Sequence, residues 1–236
     1  MSANGGWSRP PKLVTVPARP EPIQIDVHRT AVVVVDMQNA FVSKGGFFDF
    51  MGWDISGAAG VVETTRTLIE ETRRAGARVI FLKFSYDPEY VASGGPESPN
   101  WYKDLALVLM RDNPEYRGKF LTSGSWDEQI CDGLSPAEGD IFVRKQRYSG
   151  FQGTNLDMVL KTHNIKYCVY VGVATNVCVA ATLYDGYFLG YWPILVTDAV
   201  NHSGPSFNRE STFWMVETNY GWLTETADLV AALSGG

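Results

Sequence analysis

KYCVYVGVATNVCVAATLYDGYFLGY, residues 166–191, sets a continuous apolar run against a Gly-containing turn and then a stretch with helical spacing. A run that is apolar at successive positions is the pattern of a strand buried on both faces, and such strands belong to parallel sheets covered by helices. The turn delivers Cys178 into the first turn of a helix expected over 175–189. Helix N-termini carry unpaired N–H groups and partial positive charge, so a thiol there is expected to have a lowered pKa with an anion cradle beside it. A nucleophile belongs in such a place.

The same alternation extends in both directions. TAVVVVDM (30–37), ARVIFLKF (77–84), GDIFVRK (139–145) and WPILVTDAV (192–200) read as further strands, with helices over about 57–75, 154–162 and 206–216 and a final helix before Ser234. The pattern predicts a single doubly wound, Rossmann-like α/β domain: a parallel sheet of five or six strands with helices on both faces. GWLTETADL near the end reads as a short apolar turn. Residues 1–27, rich in Pro, Arg and Gly, are expected to form a tail that drapes over the domain or a neighbouring subunit, with a short β-rich lead into a domain running over 28–236. The irregular stretch 86–138 is the candidate for a lid or a partner-facing insertion.

Composition narrows the function classes. With 45% hydrophobic residues, 236 residues suffice for one sizeable core. A net charge of −6 leaves no basic stripe, so nucleic-acid binding lacks an electrostatic basis. The longest apolar runs fall far short of the ~20 residues that span a bilayer, and the N-terminus lacks the apolar core of a secretory signal, so no membrane role is expected. Three cysteines, Cys131, Cys168 and Cys178, cannot all pair, which fits a reducing, cytoplasmic setting. His28, His163 and His202 are scattered without metal-ligand spacing, and DMQNAF follows the first strand where a dinucleotide fingerprint would need glycines. Neither metal nor cofactor is expected.

In doubly wound sheets, working groups lie beyond the carboxyl ends of the strands. Asp36 closes TAVVVVD, Lys145 closes GDIFVRK and Cys178 follows KYCVYVGV. Taken alone, each has an ordinary reading: a small buried thiol, a turn cap, a solvated amine. Together they describe covalent hydrolysis, in which the Cys178 thiolate attacks a carbonyl, Asp36 moves the proton and Lys145 favours both negative groups. The oxyanion would form near the backbone N–H groups of the 173–178 turn. Cys131 and Cys168 are expected to be inert.

VVVVDMQNAF, VRK and GVATNVCVAATLYDGYFLGY together resemble the isochorismatase-like cysteine hydrolase family, over roughly residues 28–232. The resemblance implies a six-stranded parallel sheet, an Asp36–Lys145–Cys178 triad, frequent homodimers or homotetramers, and a cis peptide at Val173–Ala174. It also implies that the Ala174 and Cys178 N–H groups form the oxyanion hole. Nicotinamidase-like members carry an Asp/His metal motif after the second strand, where this chain reads KFSYDPEY, and isochorismatases that cleave vinyl ethers lack the Cys. C–N bond hydrolysis without a metal is therefore expected.

GGFFDFMGWD, GGPESPNW, GSWD and RYSGF are similar to stretches of ureidoacrylate amidohydrolases. A short, polar, planar ureido substrate needs amide and aromatic partners, and Asn39, Phe41, Tyr148 and Asn176 are the candidates by position. Arg147 either grips a substrate carboxylate or forms a structural ion pair. Gln152-Gly153 and Asn219 depart from the ureidoacrylate pattern. An Asn219 facing the pocket would suit a second ureido group, as in biuret or triuret. Two other readings stay open: a hydrolase of a larger amide, and a binding module in which FFDFMGW and GYFLGYW are only subunit contacts.

Overall fold

The computed structural model describes residues 9–235. In chain order its strands are β1 (Leu13–Val16), β2 (Ile23–Asp26), β3 (Thr30–Val35), β4 (Arg78–Phe84), β5 (Ile141–Lys145), β6 (Tyr167–Val173), β7 (Trp192–Asn201) and β8 (Trp222–Thr224). The helices are α1 (Asn39–Val42), α2 (Phe47–Phe50), α3 (Ala58–Ala75), α4 (Asn100–Lys103), α5 (Leu105–Asp112), α6 (Leu156–Thr162), α7 (Ala180–Phe188), α8 (Phe207–Met215) and α9 (Thr226–Ser234).

β3 to β8 form one parallel sheet in the order β5-β4-β3-β6-β7-β8. The two central strands, TAVVVV and YCVYVGV, are buried at every position, as continuous apolar runs require. From β3 the chain winds outward to β4 and β5, then returns to β6 and winds the other way. Because parallel crossovers are right-handed, this reversal places the intervening helices on opposite faces and opens a crevice between the carboxyl ends of β3 and β6. The α3 helix has its buried stripe at Val61, Thr65, Leu68, Ile69 and Thr72, the spacing of one helical face, and stops at Gly76 in the left-handed conformation.

Two expectations need correction. GWLTETADL holds a sixth strand: Ile194, Leu195 and Val196 of β7 pair with Trp222, Leu223 and Thr224. Three residues are too few for a periodic signal, so pairing with a preformed edge decides their conformation. The start of the packed domain at residue 28 is likewise too late. β1 and β2 pair antiparallel and bury Val16, Ile25 and Val27 in the core, and Arg19 exchanges two backbone hydrogen bonds with Leu223. Residues 1–8 of the expected tail lie outside the described residues.

Candidate active site

Asp36 leaves β3 with φ 51°, a left-handed turn that an Asp tolerates better than most residues. The neighbouring strand approaches just as closely: Gly172 of β6 has φ 110°, and a Cβ there would collide with Val35 O. β3 and β6 therefore bring Asp36 and the turn bearing Cys178 side by side. Lys145 comes from two strands away. Its side chain crosses the intervening strand with Nζ 4.2 Å from the Phe84 ring centroid and ends 2.7 Å from Asp36 Oδ2. Both side chains of this pair are fully buried. The Lys145 ammonium also donates to Arg147 O at 3.1 Å.

Gln38 was not singled out in the sequence, yet it braces this assembly. Its Nε2 donates to Phe84 O at 2.7 Å and to Glu128 O at 2.7 Å, while its Oε1 accepts from Phe84 N–H at 2.8 Å. A fully buried carboxamide just beyond the last core valine was the available signal, since such a group must find partners.

Cys178 sits inside a five-residue π-helical stretch, Thr175–Val179, that runs into α7, rather than in the first turn of an α-helix. The Val173–Ala174 peptide is cis. Val177 N–H and Val179 N–H both donate to Ala174 O, at 3.0 and 3.2 Å, and pass over the Cys178 N–H between them. π-helical turns recur at functional sites because they reorient single groups in this way.

The electrostatics correct the expected low thiol pKa. Burial pushes Cys178 well above the ordinary thiol value; Lys145 pulls it down, and Asp36 pushes it up again. The thiol is therefore protonated at rest and needs a base. Burial also raises Asp36 above an ordinary carboxylate, with Lys145 working in the opposite direction, which makes it a stronger base than a surface Asp. For Lys145, burial favours the neutral amine, but Asp36 and Cys178 outweigh it and the pKa is raised.

Cys178 opens on a cavity whose walls include Phe41, Phe47, Phe48, Trp53, Phe84 and Tyr148. FFDFMGW thus gives the cavity wall Phe47, Phe48 and Trp53. The stretch 86–138 also contributes to it, through Asp104, Leu105, Ala106 and Leu121. Of the expected substrate contacts, Phe41 and Tyr148 line the cavity; the Tyr148 hydroxyl donates to Lys103 O at 3.2 Å. The other four lie off its wall. Asn39 is committed to Trp126 O and Ser43 Oγ, and Asn176 Oδ1 accepts from Ser203 N–H at 2.9 Å. Arg147 reaches Ala92 O at 3.0 Å. Asn219 is exposed, bonded to Met215 O and Thr218 Oγ1, and borders a separate surface groove with Trp192 and Trp222. Position along the chain suggested Asn39 and Asn176, and comparison with the ureidoacrylate pattern suggested Asn219, but local partners claimed all three.

Asp104 is the wall residue that sequence reasoning missed. It caps α5, and its Oδ1 accepts from the Tyr86 hydroxyl and from Leu107 N–H. Among the described residues no group of three or more His, Cys, Asp or Glu side chains is placed to hold a metal ion. No described helix is long and apolar enough to cross a membrane.

Comparison with known proteins agrees with this geometry. Residues 30–228 match the isochorismatase domain. The chain is 47% identical over 218 residues to ureidoacrylate amidohydrolase RutB of Caulobacter segnis, covering 92% of this chain and 91% of that one. It is 43% identical to the protein of the same name from Klebsiella pneumoniae, covering 94% of each. Among solved structures, a cysteine hydrolase from Pseudomonas syringae superposes with a TM-score of 0.74 at 25% identity, covering 97% of this chain and 99% of that one. N-carbamoylsarcosine amidase from Thermoplasma acidophilum gives 0.63 at 27% identity, covering 84% and 96%. With its parallel sheet, its buried acid–amine pair and a thiol at the crevice, the chain belongs to the isochorismatase family, as a cysteine hydrolase acting on C–N amide bonds.

Proposed function

We propose that the chain hydrolyses the carbamoyl C–N bond of a small ureido compound, with ureidoacrylate as the reference substrate, using Asp36, Lys145 and Cys178. The observation that carries this reading is the buried Asp36–Lys145 pair at a cavity that Cys178 lines. The Cys178 proton passes to Asp36 as sulfur bonds to the carbonyl carbon, and the Ala174 and Cys178 N–H groups stabilise the oxyanion. The C–N bond then breaks, and the leaving nitrogen takes the proton from Asp36. Water, deprotonated by Asp36, attacks the thioester, frees the thiol and releases carbamate, which decays to ammonia and CO2.

The names of the curated relatives support the ureido group, and the amidase neighbour supports carbamoyl chemistry more broadly, with N-carbamoyl amino acids as the second substrate set. The premise for biuret or triuret weakens, because Asn219 borders a different groove. The exposed rings of Phe188, Phe207 and Trp214 support a homodimer or homotetramer, and the free cysteines support the cytoplasm. The test is ammonia release from ureidoacrylate, N-carbamoyl amino acids, biuret and nicotinamide by the wild type and by C178A. Turnover of a carbamoyl compound that disappears in C178A supports the reading; turnover that survives in C178A sinks it.

A further inference from the structure

The cavity wall is aromatic and aliphatic almost throughout, and a ureido group brings several N–H donors into it. Among the described residues that line the cavity, Asp104 carries the only carboxylate. It is 2% exposed, deeper than a surface acid, and it is held rigidly: Tyr86, itself fully buried, and Leu107 N–H both donate to Oδ1. The Ala106 N–H also bonds this carboxylate. No side chain among the described residues donates to Oδ2, and Asp104 lines the same cavity as Cys178. A capping role alone is satisfied by Oδ1; it does not need a second oxygen on an apolar wall.

We propose that Asp104 is a specificity-determining residue whose Oδ2 accepts a hydrogen bond from the amino end of the carbamoyl group that Cys178 attacks, selecting substrates whose terminal carbamoyl nitrogen is unsubstituted. The inference rests on the carbamoyl-transfer reading above. A buried acceptor left facing a methyl group has no partner, which is the basis of strong discrimination.

The experiment compares kcat/KM for ureidoacrylate and its terminal N,N-dimethyl analogue in the wild type, D104N and D104S. In D104N the side-chain oxygen stays with Tyr86 and Leu107 and an amide nitrogen replaces Oδ2, so the cap is kept while the polarity toward the cavity reverses. D104S keeps a capping hydroxyl but lacks the reach. The wild type is expected to prefer ureidoacrylate by about 10- to 100-fold, and both variants to lose most of that preference by failing on ureidoacrylate alone. A purely structural Asp104 would lower both substrates alike and leave the ratio unchanged, and that outcome overturns the inference. So does a wild type that fails to discriminate, which requires no variant to fold. A wild type inert on every carbamoyl compound overturns the underlying reaction and the inference together. An active wild type with an unchanged ratio in the variants overturns the inference only.

Discussion

Lys145 Nζ stands 2.7 Å from Asp36 Oδ2 although β4 separates their strands. The long amine bridges the gap by lying against the Phe84 ring, which offers a cation a favourable face in a buried site. The Cys178 thiol reaches the same carboxylate, so a proton leaving sulfur has a base beside it.

Removing the thiol or the base should stop the chemistry while leaving the sheet intact. C178A and D36N are expected to lose about a thousandfold or more in kcat, because residues that act as one unit fail together. Circular dichroism and a thermal melt of C178A should match the wild type. D36N should raise the rate of iodoacetamide labelling at neutral pH, since Asp36 pushes the Cys178 pKa up and its removal leaves Lys145 to favour the thiolate.

Lys145→Ala acts on both stability and titration. It leaves a buried carboxylate unpaired, a loss of about 3–5 kcal/mol. Lys145 holds the Cys178 pKa down. The midpoint of thiol alkylation against pH should therefore move upward in the variant. An unchanged midpoint would remove Lys145 from the triad.

Gln38→Leu should test positioning. The substitution keeps volume but removes the bonds to Phe84 N–H, Phe84 O and Glu128 O. The orphaned Phe84 groups cost about 1–3 kcal/mol each. Because Phe84 carries the Lys145 amine across its face, kcat should fall about tenfold or more while KM changes little. Steady-state kinetics and urea unfolding read the two effects separately.

Asp127 links pH to the cavity wall. Its Oδ1 accepts from Phe47 N–H at 3.1 Å and its Oδ2 from Leu121 N–H at 2.9 Å, and both residues line the cavity. Burial raises its pKa to about 6, against the pull of those N–H groups and of Lys119. A carboxyl raised on folding contributes most below its unfolded value and loses that contribution as pH climbs through its folded value. Wild-type stability measured against D127N should therefore fall by about 2 kcal/mol between pH 4 and pH 7. Urea denaturation at several pH values checks the sign; a difference that rises with pH would refute it.

Gly172→Ala would drive a methyl group into Val35 O at a residue with φ 110°. A loss of about 3 kcal/mol or more is expected, with lower kcat because Asp36 directly follows Val35 in the chain. A thermal melt and a rate assay suffice.

The linear order of apolar runs was enough to specify the parallel sheet, its five longer strands and the three strand-end groups Asp36, Lys145 and Cys178. Burial on both faces writes a continuous hydrophobic signature, and a polar residue ending such a run stands out locally. β8, Gln38 and Asp104 left no comparable trace. Three residues complete a sheet only because β7 already offers an edge; a glutamine is a brace only where Phe84 O and N–H face it; an aspartate becomes part of a wall only where Tyr86 and the start of α5 hold its carboxylate in place. Asn39, Asn176, Arg147 and Asn219 went the other way, each drawn off the cavity wall by nearby backbone or side-chain partners. The thiol's titration also belonged to the tertiary structure, because desolvation depends on everything packed around the sulfur and outweighs what its place along the helix would confer.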